Sequence, residues 1–253
     1  MEIQGYLDRI NYKQSVRADI HTLRGLHRAH MLSVPFENLD IVPLQRPIQL
    51  DEQALLNKIV NHNRGGFCYE LNGLFAWLLK KIGFEVTYLN GRVYRDDGSL
   101  GIEFDHLALL VRTPGQSARW LADVGFGDSF IEPLNFEDNS EHVEGLRAYK
   151  LEQTKDGFDM WQRDYSGQWS HQYFFDLAER KFPEDYQAGC SYHQNPSLSS
   201  LAREGIISVA NAEGRVSLKT DKLVVTVNGR REERVVTKED YPILLKKYFG
   251  VVL

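Results

Sequence analysis

Arg64-Gly65-Gly66-Phe67-Cys68-Tyr69-Glu70-Leu71-Asn72-Gly73 places a cysteine where a glycine-rich turn runs into an apolar, helix-forming stretch. A helix N-terminus presents unpaired N–H groups and partial positive charge, and both favour a thiolate over a thiol. The adjacent glycines let another backbone, or a substrate, come close to the sulfur. A structural cysteine more often lies mid-element among aliphatics. Cys68 is therefore the candidate nucleophile, and Cys190, the only other cysteine, keeps the plainer reading of a small buried hydrophobe.

Upstream of this stretch the pattern is helical. Val16, Ile20, Leu23, Leu26 and Met31 recur at spacings of three to five and predict a helix over 14–31, stopped by Pro35 and followed by a loop at 36–39. Ala54, Leu55, Ile59 and Val60 predict a second helix over 51–62. A third runs over 68–82, closed by Gly83 as a C-cap. Downstream of Phe84, runs rich in Val, Leu and aromatic residues alternate with Asp, Gly and Pro clusters. They predict strands over 85–94, 105–112, 119–124, 149–152, 158–163 and 168–174. The last quarter combines a polar loop (191–200), strands near 206–209 and 223–227, and a helix over 238–249. Arg230-Arg231-Glu232-Glu233-Arg234 reads as a solvated surface turn. Helices, then strands, then a small mixed segment make an α+β protein.

The whole chain supplies bounds. Its 253 residues, 42% of them hydrophobic, are enough for a substantial core. A formal net charge of -5 gives no reason to expect nucleic acid or an anionic membrane as partner. Residues 1–8 show no basic segment followed by an apolar run, so no export signal is expected. No stretch approaches the ~20 apolar residues of a spanning helix. Free thiols in a reducing, cytoplasmic setting follow as the expectation.

A nucleophilic cysteine needs a base and a group that orients the base. Of eight histidines, His21, His27 and His30 fall in the first predicted helix and read as surface or satisfied interface. His62 lies between asparagines and reads as solvated, while His142, His171 and His193 sit in polar or turn-like contexts. His106 differs, because it opens the apolar strand Leu107-Ala108-Leu109-Leu110-Val111, which would aim its ring rigidly. One strand further on, Asp123 is embedded in the apolar strand of Trp120-Leu121-Ala122-Asp123-Val124-Gly125-Phe126-Gly127. An acid there is costly unless paired. Asp105 is nearer in sequence, but neighbouring strand residues point to opposite faces, which takes it away from His106. On residues alone the reading stops at a cysteine-dependent acyl or peptidyl transferase, or a hydrolase.

These segments resemble the arylamine N-acetyltransferases. Arg64-Gly65-Gly66-Phe67-Cys68 with Glu70-Leu71-Asn72 is similar to that family's nucleophile signature. Val34-Pro35-Phe36-Glu37-Asn38-Leu39, Asp105-His106-Leu107, Leu121 to Gly127, and Phe182-Pro183-Glu184-Asp185-Tyr186 resemble its other segments, in order. The resemblance implies an N-terminal helical bundle (1–84), a central antiparallel β-barrel (85–188) and a C-terminal α/β lid (189–253), with a catalytic core like that of papain-like proteases and transglutaminases. It implies acetyl-CoA as donor, a small aromatic amine or hydrazine as acceptor, ping-pong transfer and no metal. It makes Cys68 the acetylated nucleophile, His106 its base and Asp123 the orienting acid. Phe36, Tyr69 and Phe126 would contact the acceptor, Gly101 and Gly127 the coenzyme, and Arg64 and Glu70 would hold the loop. Leu201 stands where many relatives carry phenylalanine, and Cys190 where a polar residue is expected. Thiol proteases, transglutaminases, carrier-dependent amide synthases and a retired binding module share these parts; all three triad positions are retained here.

Overall fold

The computed structural model describes residues 3–138 and 140–253. The helical part contains α1 (Gln4–Arg9), α2 (Ile20–Ser33), a two-residue strand β1 (Phe36–Glu37), α3 (Glu52–Leu55) and α4 (Cys68–Ile82). Two of these differ from the expected helices. α2 begins at Ile20 rather than residue 14, because the Asp19 carboxylate accepts the Thr22 N–H at 2.8 Å and fixes the first turn there. The second predicted helix is one α-turn that widens into a π-helical turn over Leu56–Asn61. α4 matches its expected span. Every residue from Cys68 to Leu79 is buried, and Gly83 takes the left-handed conformation (φ 108°) that ends the helix.

Eight strands follow: β2 (Glu85–Val93), β3 (His106–Arg112), β4 (Arg119–Ala122), β5 (Leu134–Asn135), β6 (His142–Glu144), β7 (Arg147–Gln153), β8 (Phe158–Arg163) and β9 (Trp169–Phe175). They form a nearly closed antiparallel barrel in the order β5-β4-β3-β2-β9-β8-β7-β6. Strand β3 shows how the core divides. Leu107, Leu109 and Val111 join the cluster built around α4, whereas Ala108 and Leu110 join the barrel interior. That alternation is the two-residue period of a strand buried on both faces.

After α5 (Gln187–His193), four strands, β10 (Ile206–Asn211), β11 (Gly214–Lys219), β12 (Lys222–Val227) and β13 (Arg230–Val235), precede α6 (Asp240–Phe249). Their sheet has the order β1-β10-β11-β12-β13. The expected loop at 36–39 is thus partly strand: Phe36 and Glu37 pair with Ser208 and Ile207. The expected surface turn at 230–234 is also strand. β13 is exposed throughout, and its charges suit an edge that must not recruit another strand.

Candidate active site

Cys68 is the first residue of α4, and the Glu70 carboxylate accepts the Phe67 backbone N–H at 3.1 Å, fixing the entry to the helix. Beneath it lies a buried ionic cluster. Lys58 Nζ stands 2.7 Å from both Glu70 Oε1 and Asp40 Oδ2, and Arg64 Nη2 stands 2.8 Å from Glu37 Oε1. Arg64 and Glu70 therefore hold the loop as expected, but Lys58 at the centre of the cluster was not anticipated. The turn after β4 closes from the other side. A Cβ on Gly125 would lie 2.7 Å from Cys68 Cα, so only glycine admits this approach of the two backbones.

His106 opens β3, and its Nε2 is 2.7 Å from Asp123 Oδ2, both residues being buried. With Nε2 engaged by the acid, Nδ1 is the nitrogen left for the thiol. Cys68 and His106 line one cavity of about 620 Å³, together with Phe36, Phe67, Gly125, Phe126 and a wall from Tyr192 to Arg203. A cavity of similar size, about 640 Å³, lies around Arg147 and Arg215 and contains neither Cys68 nor His106.

Asp123 is completely buried, and burial alone would raise its pKa. Its carboxylate nevertheless sits below the ordinary range, because His106, the Asn72 amide (2.8 Å) and the Gly125 N–H (3.0 Å) favour the charged form. Tyr173 donates a further hydrogen bond at 2.9 Å. The Asp123 backbone N–H is accepted by His27 Nε2 at 3.1 Å, and the other nitrogen of His27 bonds the Ile131 carbonyl at 2.7 Å. Asn72, Tyr173 and His27 all escaped the sequence reading as supports of the acid. His27 is the satisfied interface histidine expected. His193, expected in a polar or turn-like context, is buried and lines the Cys68 cavity.

The thiol experiences opposing effects. Burial pushes the Cys68 pKa up, and the charges of Asp123 and Asp105 act in the same direction, while the Leu107 backbone amide favours the thiolate.

A family model described as N-acetyltransferase matches residues 19–253. The chain is 34% identical over 237 residues to the arylamine N-acetyltransferase of Mycolicibacterium smegmatis, covering 92% of this chain and 85% of the relative. The chain belongs to the arylamine N-acetyltransferase family. It is an acyltransferase. A second relative, a proansamycin X synthase of Amycolatopsis mediterranei, is 27% identical over 94% of this chain and 93% of its own. Among solved structures, the Mycobacterium marinum arylamine N-acetyltransferase in complex with CoA superposes with a TM-score of 0.90 at 29% identity, covering 99% of this chain and 93% of that one. Against the site the family resemblance suggested, Cys68, His106, Phe36 and Phe126 share the cavity, and Asp123 stands behind His106. Tyr69 does not line it. Its ring is buried against Phe67 and Tyr186, and its hydroxyl donates to the Phe104 carbonyl. Gly101 packs on Asp105 and Gly127 on Phe36, and neither is part of the cavity lining.

Proposed function

We propose that this arylamine N-acetyltransferase relative transfers an acetyl group from acetyl-CoA to a small arylamine, arylhydrazine or arylhydroxylamine through an acetyl-Cys68 intermediate. The observation that carries the reading is the shared cavity, lined by a helix-terminal thiol, an acid-backed imidazole and the aromatic rings of Phe36 and Phe126.

Cys68 passes its proton to His106 Nδ1, and the sulfur attacks the thioester carbonyl. Backbone N–H groups near Cys68 stabilise the oxyanion in this route, and the CoA thiolate leaves with the proton from His106. The amine then attacks acetyl-Cys68 while His106 takes its proton, and the regenerated thiolate departs. Asp123 holds the imidazole in the required tautomer and supports its positive charge, without itself taking up the proton. Anilines are uncharged near neutral pH, which suits walls of phenylalanine. The free state of Cys68 and Cys190 supports a reducing compartment, the cytoplasm, as the setting. Among the described residues no helix is long and apolar enough to cross a membrane. An apolar cluster drawn wholly from the barrel and another centred on the last sheet support a three-part division at 84/85 and 188/189, although the cluster around α4 takes in β3, β4 and Cys190, and β1 and Leu39 join the last sheet.

Steady-state kinetics with acetyl-CoA and an aniline test the route. Parallel double-reciprocal lines are expected, with CoA release in the absence of acceptor limited to one equivalent. Turnover confined to carrier-bound acyl chains, with no response to acetyl-CoA, would instead assign an amide-synthase chemistry.

A further inference from the structure

A second histidine–aspartate pair faces the same cavity. His193, at the end of α5, is 8% exposed. Its Nε2 lies 2.9 Å from the Asp105 carbonyl oxygen and 3.2 Å from Asp105 Oδ1, and its Nδ1 lies 2.9 Å from Ser199 Oγ. Two acceptors at Nε2 fix the proton there. Nδ1 is hydrogen-bonded to the Ser199 hydroxyl, whose oxygen also accepts the Leu201 N–H at 3.3 Å. The hydroxyl is a strut that caps the short turn Ser200–Ala202. The other end of this segment is tied down as well, since Asn38 Nδ2 donates to the Leu201 and Glu204 carbonyls at 2.6 and 2.8 Å.

The position of the ring relates it to both reacting groups. It packs edge-on to Phe67 and tilted against Tyr69, the residues on either side of Cys68, with ring centroids 6.3 and 6.0 Å apart. Its hydrogen-bond partner Asp105 directly precedes His106. The segment it braces supplies Ser199, Ser200, Leu201 and Arg203 to the lining of the cavity that Phe36 and Phe126 also line. We propose that His193, held by Asp105, is a positioning residue that sets the acceptor side of the cavity by bracing the Ser199–Arg203 wall. It does not exchange protons with substrate, because both ring nitrogens are already engaged. Sequence position alone had taken Asp105 away from His106; the structure assigns it to this other histidine. The inference rests on the acetyl-transfer reading above.

The test separates the two half-reactions in His193→Leu, His193→Gln and Ser199→Ala. Wild type comes first: if single-turnover mixing with acetyl-CoA leaves Cys68 unacetylated, it is the acetyl-transfer reading that fails. If wild type is acetylated, His193→Leu and Ser199→Ala are expected to raise the aniline KM about tenfold while single-turnover acetylation stays within about twofold. His193→Gln, which keeps a donor toward Asp105, is expected to recover part of that loss. Unchanged aniline KM in both His193→Leu and Ser199→Ala would overturn the proposal. So would an equal loss in both half-reactions that tracks a fall in folded protein, since that pattern is merely structural. Ser199→Ala keeps the test decisive if the histidine variants fail to fold.

Discussion

Tyr173 and Asp123, fifty residues apart in the chain, meet through a 2.9 Å hydrogen bond from the phenol to carboxylate Oδ2, the same oxygen that faces His106. The phenol is fully buried, and burial together with the adjacent carboxylate holds its pKa well above the ordinary tyrosine value. It is therefore a permanent donor to the acid. Tyr173→Phe removes one donor from a buried charge, which costs about 1.5–3 kcal/mol. We expect a lowered Tm and a fall in kcat/KM of about tenfold, because the imidazole loses part of its fixed partner. Unchanged thermal unfolding and kinetics would show that His106, Asn72 and Gly125 suffice to hold Asp123.

Asp123→Asn is expected to fold and to lose most of its activity. An amide at this position can present an N–H to His106 and so select the wrong tautomer, an effect worth about four orders of magnitude in a well-characterised serine protease. Near-normal turnover, measured with circular dichroism matching the wild type, would remove Asp123 from the mechanism.

Gly125→Ala tests the close contact across the site. The added methyl would fall 2.7 Å from Cys68 Cα and 3.0 Å from Cys68 O, backbone atoms that cannot swing aside. Relief requires the nucleophile and the 123–127 turn to part, and a displacement of ~1 Å costs about 100-fold in rate. The expected variant retains a thiol that reacts with iodoacetamide but loses about two orders of magnitude in kcat/KM. Activity within threefold of wild type would mean that the approach is not needed.

Glu70 gives a pH signature. Burial, the largest effect, and the charge of Glu37 raise its pKa from 4.5 to about 7, against the lowering influence of Lys58 and the Phe67 N–H. Its folded value lies above its unfolded one, so the folded chain holds the extra proton. The associated stability is complete below about pH 4.5 and is lost as pH rises through about 7. Glu70→Gln removes this titration. From pH 5 to pH 8, wild type should lose stability relative to the variant, on the order of 3 kcal/mol. Urea unfolding at the two pH values measures it, and identical pH dependence of the two proteins would contradict the assignment.

α4 was legible because its signals are local: an unbroken apolar run, a glycine turn before it and Gly83 after it. Six of the eight barrel strands were legible through alternation and turn residues; β5 and β6, of two and three residues, are too short to show alternation, and β11 was not read either. β1 and β13 were not legible. Phe36 and Glu37 become strand only by pairing with Ile207 and Ser208, a contact that local composition cannot register. The charged 230–234 run looks like a turn because an exposed edge strand needs no apolar face. The triad could be named from sequence, but its supports could not. His27 was within reach, since it lies four residues after Leu23 on the helix face that also buries Leu26 and His30. Asn72 was too, one turn from Cys68 on α4. Tyr173 carried no such signal, because β9 lies two strands beyond β3 in the sheet, a neighbourhood set by its non-local pairing with β2.

Cys68 as the acetyl carrier is tested most directly by peptide mass spectrometry after a brief incubation with acetyl-CoA and an acid quench, with no acceptor present. An acetyl adduct confined to Cys68, absent from His106→Ala and discharged on adding an aniline, is the predicted result. An unmodified Cys68 in wild-type protein whose thiol still reacts with iodoacetamide would contradict it.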